Sequence, residues 1–398
     1  MARSEQLPMQ ARFVVTLSAL VALASYAAAE QTRAPARATK QVVKVETYAK
    51  GLVHPWALAV LPDGRLLVTE RPGRMRLVGK DGRLSPPLGN VPPVWVVGQG
   101  GLLDVAVAPD FASSKLVYFS YSEPRGSGGS ATTVARAKLA LEGEGGQLDD
   151  VQTIFRQQPV GFGGLHFGSR LTFASDGSLF VTLGERGQRD KAQDLSTHYG
   201  KVVRLRPDGS VPSDNPFVSK GGVSKGGVSK GGARPEIWSY GHRNVQAAAL
   251  HPATGRLWTI EHGARGGDEL NIPLAGRNYG WPVITYGRDY SGAKIGEGTA
   301  KAGMEQPLYY WDPSIAPSGM AFYTGDLFPE WKGSLFVGAL RGQALHRLVL
   351  DGDRVVGEEV LLKDRGERIR DVRAGPDGAL WLVTDDRQGL VLRVVPAS

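Results

Sequence analysis

One phrase recurs along this chain: an apolar run with alternating character, a turn built on Pro/Ser-Asp-Gly or an equivalent, and a second apolar run. It is found as "ALAVLPDGRLLVTE" (57–70), "LDVAVAPDFASSKLVYFSYS" (103–122), "RLTFASDGSLFVTLGE" (170–185), "AAALHPATGRLWTIEHG" (247–263), "GMAFYTGDLFPEWKGSLFVGAL" (319–340) and "RDVRAGPDGALWLVTDD" (370–386). An Asp-Gly turn supplies the positive φ that a tight hairpin needs, and period-two alternation gives each flanking strand two distinct faces. Each copy therefore reads as one β-hairpin. A single hairpin cannot bury its own apolar face, and units of one kind must pack on one another.

Most copies are followed by a third strand-like run, such as "RMRLV", "KVVRLRPDG", "ALHRLVLDG" and "LVLRVV". Hairpins extended in this way and repeated radially predict an all-β fold, a six-bladed β-propeller with four-stranded antiparallel blades around a central channel. We place it over residues 45–398 as a single domain. A pair of β-sandwiches also needs many short strands, but it does not usually repeat one hairpin phrase six times. The 53 glycines and 25 prolines oppose long helices.

The N-terminus reads differently. Arg3 and Arg12 precede the apolar run "FVVTLSALVALAS", and "AAAE" offers a small-residue cleavage site, which predicts a signal peptide over 1–29 and a periplasmic or secreted protein. The run of about 13 apolar residues is short of the ~20 needed to span a bilayer. Residues 30–44 are then an extension before the first blade. The "VSKGG" repeat at 218–232 predicts a flexible, basic surface loop.

Composition removes several chemistries. With no cysteine there is no thiol nucleophile, zinc thiolate site or disulfide. The net charge of +8 falls only to +7 when Arg3, Glu5 and Arg12 leave with the leader. No basic run or basic-aromatic stripe accompanies it, which argues against nucleic acid and favours an anionic small ligand. "GFGGLHFG" and "GQGGLL" break the dinucleotide-binding glycine spacing, and neither H-E-x-x-H nor G-x-S-x-G occurs.

What remains is a set of polar residues at strand ends and glycine turns, positions that a propeller gathers around its channel. His166 in "GGLHFGS" is the best general-base candidate: imidazole titrates near neutral pH, and glycine neighbours allow close approach of a substrate. Glu185 ends the next hairpin, whose geometry brings it back toward His166 as an orienting carboxylate. Arg243 in "GHRNVQ", Arg341 in "GALRGQ" and Arg368 with Arg370 in "ERIRDV" lie at the ends of predicted inner strands. Residues two apart face one side of a strand, and guanidinium forks suit carboxylates.

Several of these motifs, in this order, carry a family resemblance: "GQGGLLDVAVAPDF", "HFGSRLTFASDGSLFVTLGERG", "GKVVRLRPDGSVPSDNPF", "PEIWSYGHRNVQ", "EHGARGGDELNIPLAGRNYGWP" and "RIRDVRAGPDGALWLVTDD". From about residue 45 to the C-terminus the chain resembles the soluble aldose sugar dehydrogenases, relatives of soluble quinoprotein glucose dehydrogenase that use pyrroloquinoline quinone (PQQ). The resemblance implies oxidation of the C1 hydroxyl of an aldose to the lactone by hydride transfer to PQQ. By that likeness His166 is the base, supported by Glu185, and Arg243 serves the reaction beside the quinone carbonyls with Asn244. Gln99 is a substrate-site residue, and Tyr309 and Trp311 are further substrate candidates.

The likeness also places Tyr290, the Ala339, Leu340 and Arg341 phrase, Arg368 and Arg370 on the cofactor. Backbone carbonyls of Gly263 and Ala264 would hold one Ca2+ against it, and Glu269 with the carbonyl of Tyr279 a second, structural Ca2+. Calcium's preference for six to eight oxygen ligands agrees with such a set. Two positions depart from the family pattern: Arg341 stands where lysine is usual, and Ala264 where proline is common. An external electron acceptor (cytochrome, quinone or dye) completes the expected reaction, by a monomer or homodimer. A calcium-dependent sugar lactonase and a non-catalytic binding propeller are the alternative readings.

Overall fold

The computed structural model describes residues 34–40, 42–126, 128–218 and 232–397. The expected signal peptide and all but the ends of the VSKGG loop lie outside them. No helix among the described residues is long and apolar enough to cross a membrane.

The strands form six separate antiparallel sheets, and every quoted hairpin phrase is the inner half of one sheet. The innermost strands are Pro55–Val60, Leu102–Val107, Gly168–Phe173, Val245–Leu250, Pro317–Phe322 and Ile369–Ala374. Each touches the next around the ring, and the sixth touches the first, which closes a six-bladed propeller around a central channel. The last blade takes its outermost strand from the other end of the chain, with Val43–Leu52 paired antiparallel to Gly389–Pro396.

Five blades have four strands and the first has three. Beside its third strand, Arg74–Val78, the chain still donates the Ser85 and Leu88 N–H groups to the carbonyls of Leu77 and Met75, both at 2.8 Å. Pro86 and Pro87 intervene, and having no N–H they prevent a regular fourth strand. Part of the predicted N-terminal extension is docked. Arg37 N–H donates to the Glu358 carbonyl (2.9 Å) and Glu358 N–H to that of Pro35 (3.1 Å), along the outer strand of the fifth blade.

The second strands Leu66–Glu70, Leu179–Leu183, Leu257–Glu261, Leu335–Ala339 and Leu380–Thr384 are buried at every position. A strand with neighbouring blades on both faces loses the polar side of its alternation, which is why these segments read as apolar runs. Apolar clusters fill the gaps between blades: Trp56, Leu67, Phe119 and Phe167 join the first to the second and third, and Trp258, Trp311, Phe322 and Leu335 join the fourth to the fifth.

The predicted turns form at one end of the ring. Gly64, Gly177 and Gly378 have φ of +86°, +80° and +77°, and the preceding Asp63, Asp176 and Asp377 carboxylates accept the N–H two residues on, at 3.0, 2.9 and 3.2 Å. All six inner hairpins turn at that end. Everything that starts an inner strand or follows a second strand is thereby delivered to the opposite end, and the polar candidates are there.

Candidate active site

At the loop end the channel opens into a well of about 390 Å³. Its wall is cationic. Arg368 and Arg370 both donate to Oδ2 of Asp385, at 3.3 and 3.0 Å, so the two side chains project to one side as their spacing predicts. Burial alone would raise the Asp385 carboxyl. Arg370, the bond from His54 and Arg368 overcome it and hold the group well below the usual carboxylate range. Arg71, which donates to the Gly98 carbonyl at 2.5 Å, adds a further guanidinium.

Arg243 and Asn244 stand beside this wall, at the entrance to the fourth inner strand. Arg243 is 7% exposed and lies over the Trp281 ring at 5.3 Å. One of its nitrogens donates to the His262 carbonyl (3.2 Å), but the buried Nε has no partner. Asn244 accepts from Gly168 N–H at 3.1 Å and from the Gln246 amide at 3.2 Å, and its own Nδ2 is also buried without a partner. Buried donors left unpaired are rare and costly, so this corner is built for an acceptor-rich guest.

His166, 9% exposed, is not itself part of the lining but adjoins it, because Phe167, Gly168 and its hydrogen-bond partner Gln99 all line the well. Its N–H donates to Gln99 Oε1 and its Nδ1 meets Glu185 Oε1, both at 2.8 Å. With Nδ1–H directed at a carboxylate, Nε2 is left as the acceptor. Burial pushes the imidazole below its ordinary value; Glu185 opposes that shift, and Arg243 and Arg186 add to it. A lowered pKa favours the neutral form of the ring. His166 also has φ of +52°, a left-handed conformation that a non-glycine residue holds only when its surroundings impose it.

The two expected metal positions flank this region. Gly263 and Ala264 directly follow His262, which lines the well, and Gly263 N–H is fixed by Asp268 (2.9 Å). At the other, burial and then the charge of Glu261 raise the Glu269 carboxyl well above the usual range. The Asn271 amide donates to both, at 3.2 and 3.3 Å, while its Oδ1 is buried with no partner. Two crowded carboxylates and an orphaned oxygen fit a cation. Tyr279 packs flat on His242 at 4.8 Å, and His242 bonds Glu261 at 2.9 Å.

Not every expected residue reaches the well. Tyr309 and Trp311 are 0% and 2% exposed, packed between the fourth and fifth blades, and donate to Glu358 at 2.7 and 2.9 Å. They are core, because both side chains point between blades rather than toward the channel. Tyr290 is 71% exposed and, like the exposed Arg341, is not part of the lining. Arg341 is anchored through its backbone N–H to the Ile315 carbonyl (3.0 Å). Ala339 is fully buried at the end of its strand, and Leu340 lines the well.

Trp56, Arg71, Gln246, His262 and Asp385 line the well and were not anticipated. The signal was position: each stands within two residues of one end of a hairpin phrase. Ser239, His242 and Glu261 form a further hydrogen-bonded chain, at 2.9 Å per link, with the connectivity of a nucleophile relay. Ser239 and His242 are fully buried, so the chain braces the outer strand of the third blade, which carries Ser239, against the fourth blade, which carries Glu261.

A propeller with a cationic well and a carboxylate-held imidazole at its mouth defines a class of ligand-binding propeller enzymes. Within it this chain is an oxidoreductase and belongs to the glucose/sorbosone dehydrogenase family, whose model matches residues 52–393. It is 48% identical over 364 residues to aldose sugar dehydrogenase YliI of Escherichia coli K12, covering 91% of this chain and 95% of that one. The apo crystal structure of the soluble Escherichia coli aldose sugar dehydrogenase aligns with a TM-score of 0.84 at 48% identity, over 89% of this chain and all of that one. The PQQ-bound aldose sugar dehydrogenase of Streptomyces coelicolor aligns at 0.72 and 34% identity, over 90% of this chain and 100% of that one.

Proposed function

We propose that the protein oxidises the C1 hydroxyl of aldose sugars to the lactone, the C1 hydride passing to PQQ bound in the well and the hydroxyl proton to His166. The observation that carries this reading is the pair of buried, unpaired donors, Arg243 Nε and Asn244 Nδ2, set beside Arg368 and Arg370. Such a cradle suits a flat guest with several carboxylates and carbonyl acceptors. Bound there, the quinone supplies the two-electron acceptor and Ca2+ polarises its carbonyl.

The chain's own residues do the rest. Arg368 and Arg370 hold cofactor carboxylates, and Arg243 with Asn244 meets its carbonyl oxygens. Gly263 and Ala264 offer carbonyls to the adjacent Ca2+, and Glu269 with the Tyr279 carbonyl holds a second ion. Gln99 touches both the sugar and the backbone of His166. Glu185 keeps Nδ1 protonated, which leaves Nε2 to accept the C1 hydroxyl proton. The leader sequence supports export, and turnover requires an external electron acceptor.

Purified protein supplied with PQQ and Ca2+ is expected to reduce an electron-accepting dye when aldoses are added. His166→Ala is expected to lower turnover about 10²- to 10⁴-fold with quinone binding nearly intact. Dye reduction that fails in the native protein overturns the reading; lactone hydrolysis without it would identify the lactonase alternative.

A further inference from the structure

His166 sits in a glycine-rich loop whose backbone is otherwise held at a few points. Gly161 exchanges hydrogen bonds with Ser130, the Gly164 carbonyl accepts from Gln99 N–H, and the N–H groups of His166 and Gly168 donate to Gln99 and Asn244. Gly161, Gly163, Gly164 and Gly168 surround it, and glycine gives a backbone its widest freedom. Yet the loop must hold His166 at positive φ with its ring aligned on Glu185. The residue after Glu185 is Arg186, 3% exposed and itself at φ +58°. The motif "HFGSRLTFASDGSLFVTLGERG" that carries Glu185 includes it, and nothing in the reaction described above uses it.

Its guanidinium is committed to that loop. Nε donates to the Leu165 carbonyl at 3.0 Å and Nη2 to the Gly163 carbonyl at 3.0 Å. Nη2 also reaches Ser130 Oγ at 2.9 Å, and Nη1 the Ser130 carbonyl at 3.3 Å, tying the clasp to the second blade. The carbon of the guanidinium lies 3.8 Å from the centre of the Phe167 ring, close enough for a strong cation–π contact. A Cβ on Gly161 would lie 3.0 Å from Nη1, so the guanidinium packs closely on the bare backbone there.

We infer that Arg186 is a positioning residue for the base: it grips the peptide before His166 and the ring after it, while Glu185 grips the imidazole. The adjacent pair thus fixes backbone and side chain from one turn. No carboxylate lies within salt-bridge reach of Arg186 among the described residues. Burial lowers its pKa to about 10, which keeps it a cation at neutral pH. A buried guanidinium spent on carbonyls and one aromatic face is poor as a stabilising ion pair and well suited to holding a loop in a planar, forked grip.

The inference rests on His166 acting as the base, and its test separates the two. In the PQQ- and Ca2+-loaded enzyme, Arg186→Met should lower kcat about a hundredfold, as for a reacting group displaced by an ångström. KM for the aldose and affinity for PQQ should stay within about threefold. Arg186→Lys keeps the charge but cannot reach both carbonyls, and should fall between. Hydrogen exchange, read without substrate, should quicken at residues 161–168 in both variants and nowhere else in the propeller. An unchanged kcat, or unchanged exchange in that segment, overturns the inference. If Arg186→Met does not fold, Arg186→Lys decides by the same two readings. If the native enzyme shows no PQQ-dependent turnover, the proposed function falls, and exchange alone still decides whether Arg186 holds the loop.

Discussion

The mouth of the channel and the throat beneath it are both rich in arginine, yet they are opposite in balance. In the throat Arg170, 1% exposed, donates to Asp104 (2.9 Å), Asp371 (3.0 Å) and the Gln246 carbonyl (3.1 Å). Arg373 completes the square with Asp371 and Asp104, both at 3.0 Å. This balanced network separates the well from a second cavity of about 980 Å³ at the turn end, whose wall includes Leu58, Val105 and Arg373. At the mouth, Arg71, Arg368 and Arg370 line the well with Asp385 as the one carboxylate, and Arg243 beside them has a donor to spare. The throat pairs two guanidinium groups with two carboxylates, although Arg170 Nη2 is buried without a partner; the mouth carries more cations than carboxylates.

Substitutions can break this contrast. The largest expected effect is Arg170→Met, which strands two buried carboxylates on Arg373 and should cost about 3–5 kcal/mol in denaturant unfolding. Arg370→Met should cost less stability, because Asp385 keeps His54 and Arg368, and should instead weaken PQQ binding about ten- to a hundredfold in a titration. Equal stability losses at the two sites would erase the distinction.

A smaller effect is expected from calcium. At a hundred times its Kd, an ion bound only to the folded state adds about 2.7 kcal/mol, read as a higher Tm that chelation removes. Glu269→Gln should abolish that increment at the second site without lowering the Tm of the calcium-free protein, since it also relieves the repulsion from Glu261.

The smallest effect concerns pH. Because the folded protein lowers the pKa of His166 below the ordinary 6.5, the acid limb of kcat/KM should lie below that value. The same shift makes the unfolded chain the better proton acceptor. The His166 contribution to stability is therefore complete above pH 6.5 and is lost as pH falls from there through the folded value. A limb centred at or above 6.5 would place the working base elsewhere.

Much of this molecule is visible before any coordinates. The hairpin phrases locate the inner half of every blade, since a turn demanding positive φ and a strand demanding alternation are both local requirements. The pairing of His166 with Glu185 is legible for a related reason: a hairpin returns its ends to one place. Tyr309 and Trp311 show the limit. An aromatic near a loop has two faces of a blade to choose from, and nothing local says that Glu358, from the next blade, will take both donors.

The amino-acid order by itself determined the blades, their number and the gathering of polar strand-end residues around the channel, because these follow from short-range backbone geometry. Closure of the ring by Val43–Leu52, the orphaned donors of Arg243 and Asn244, and the separation of throat from well were decided only in three dimensions. Each depends on groups from different blades meeting at hydrogen-bond distance, and burial, which sets whether a charge is satisfied or left waiting, is a property of the assembled ring.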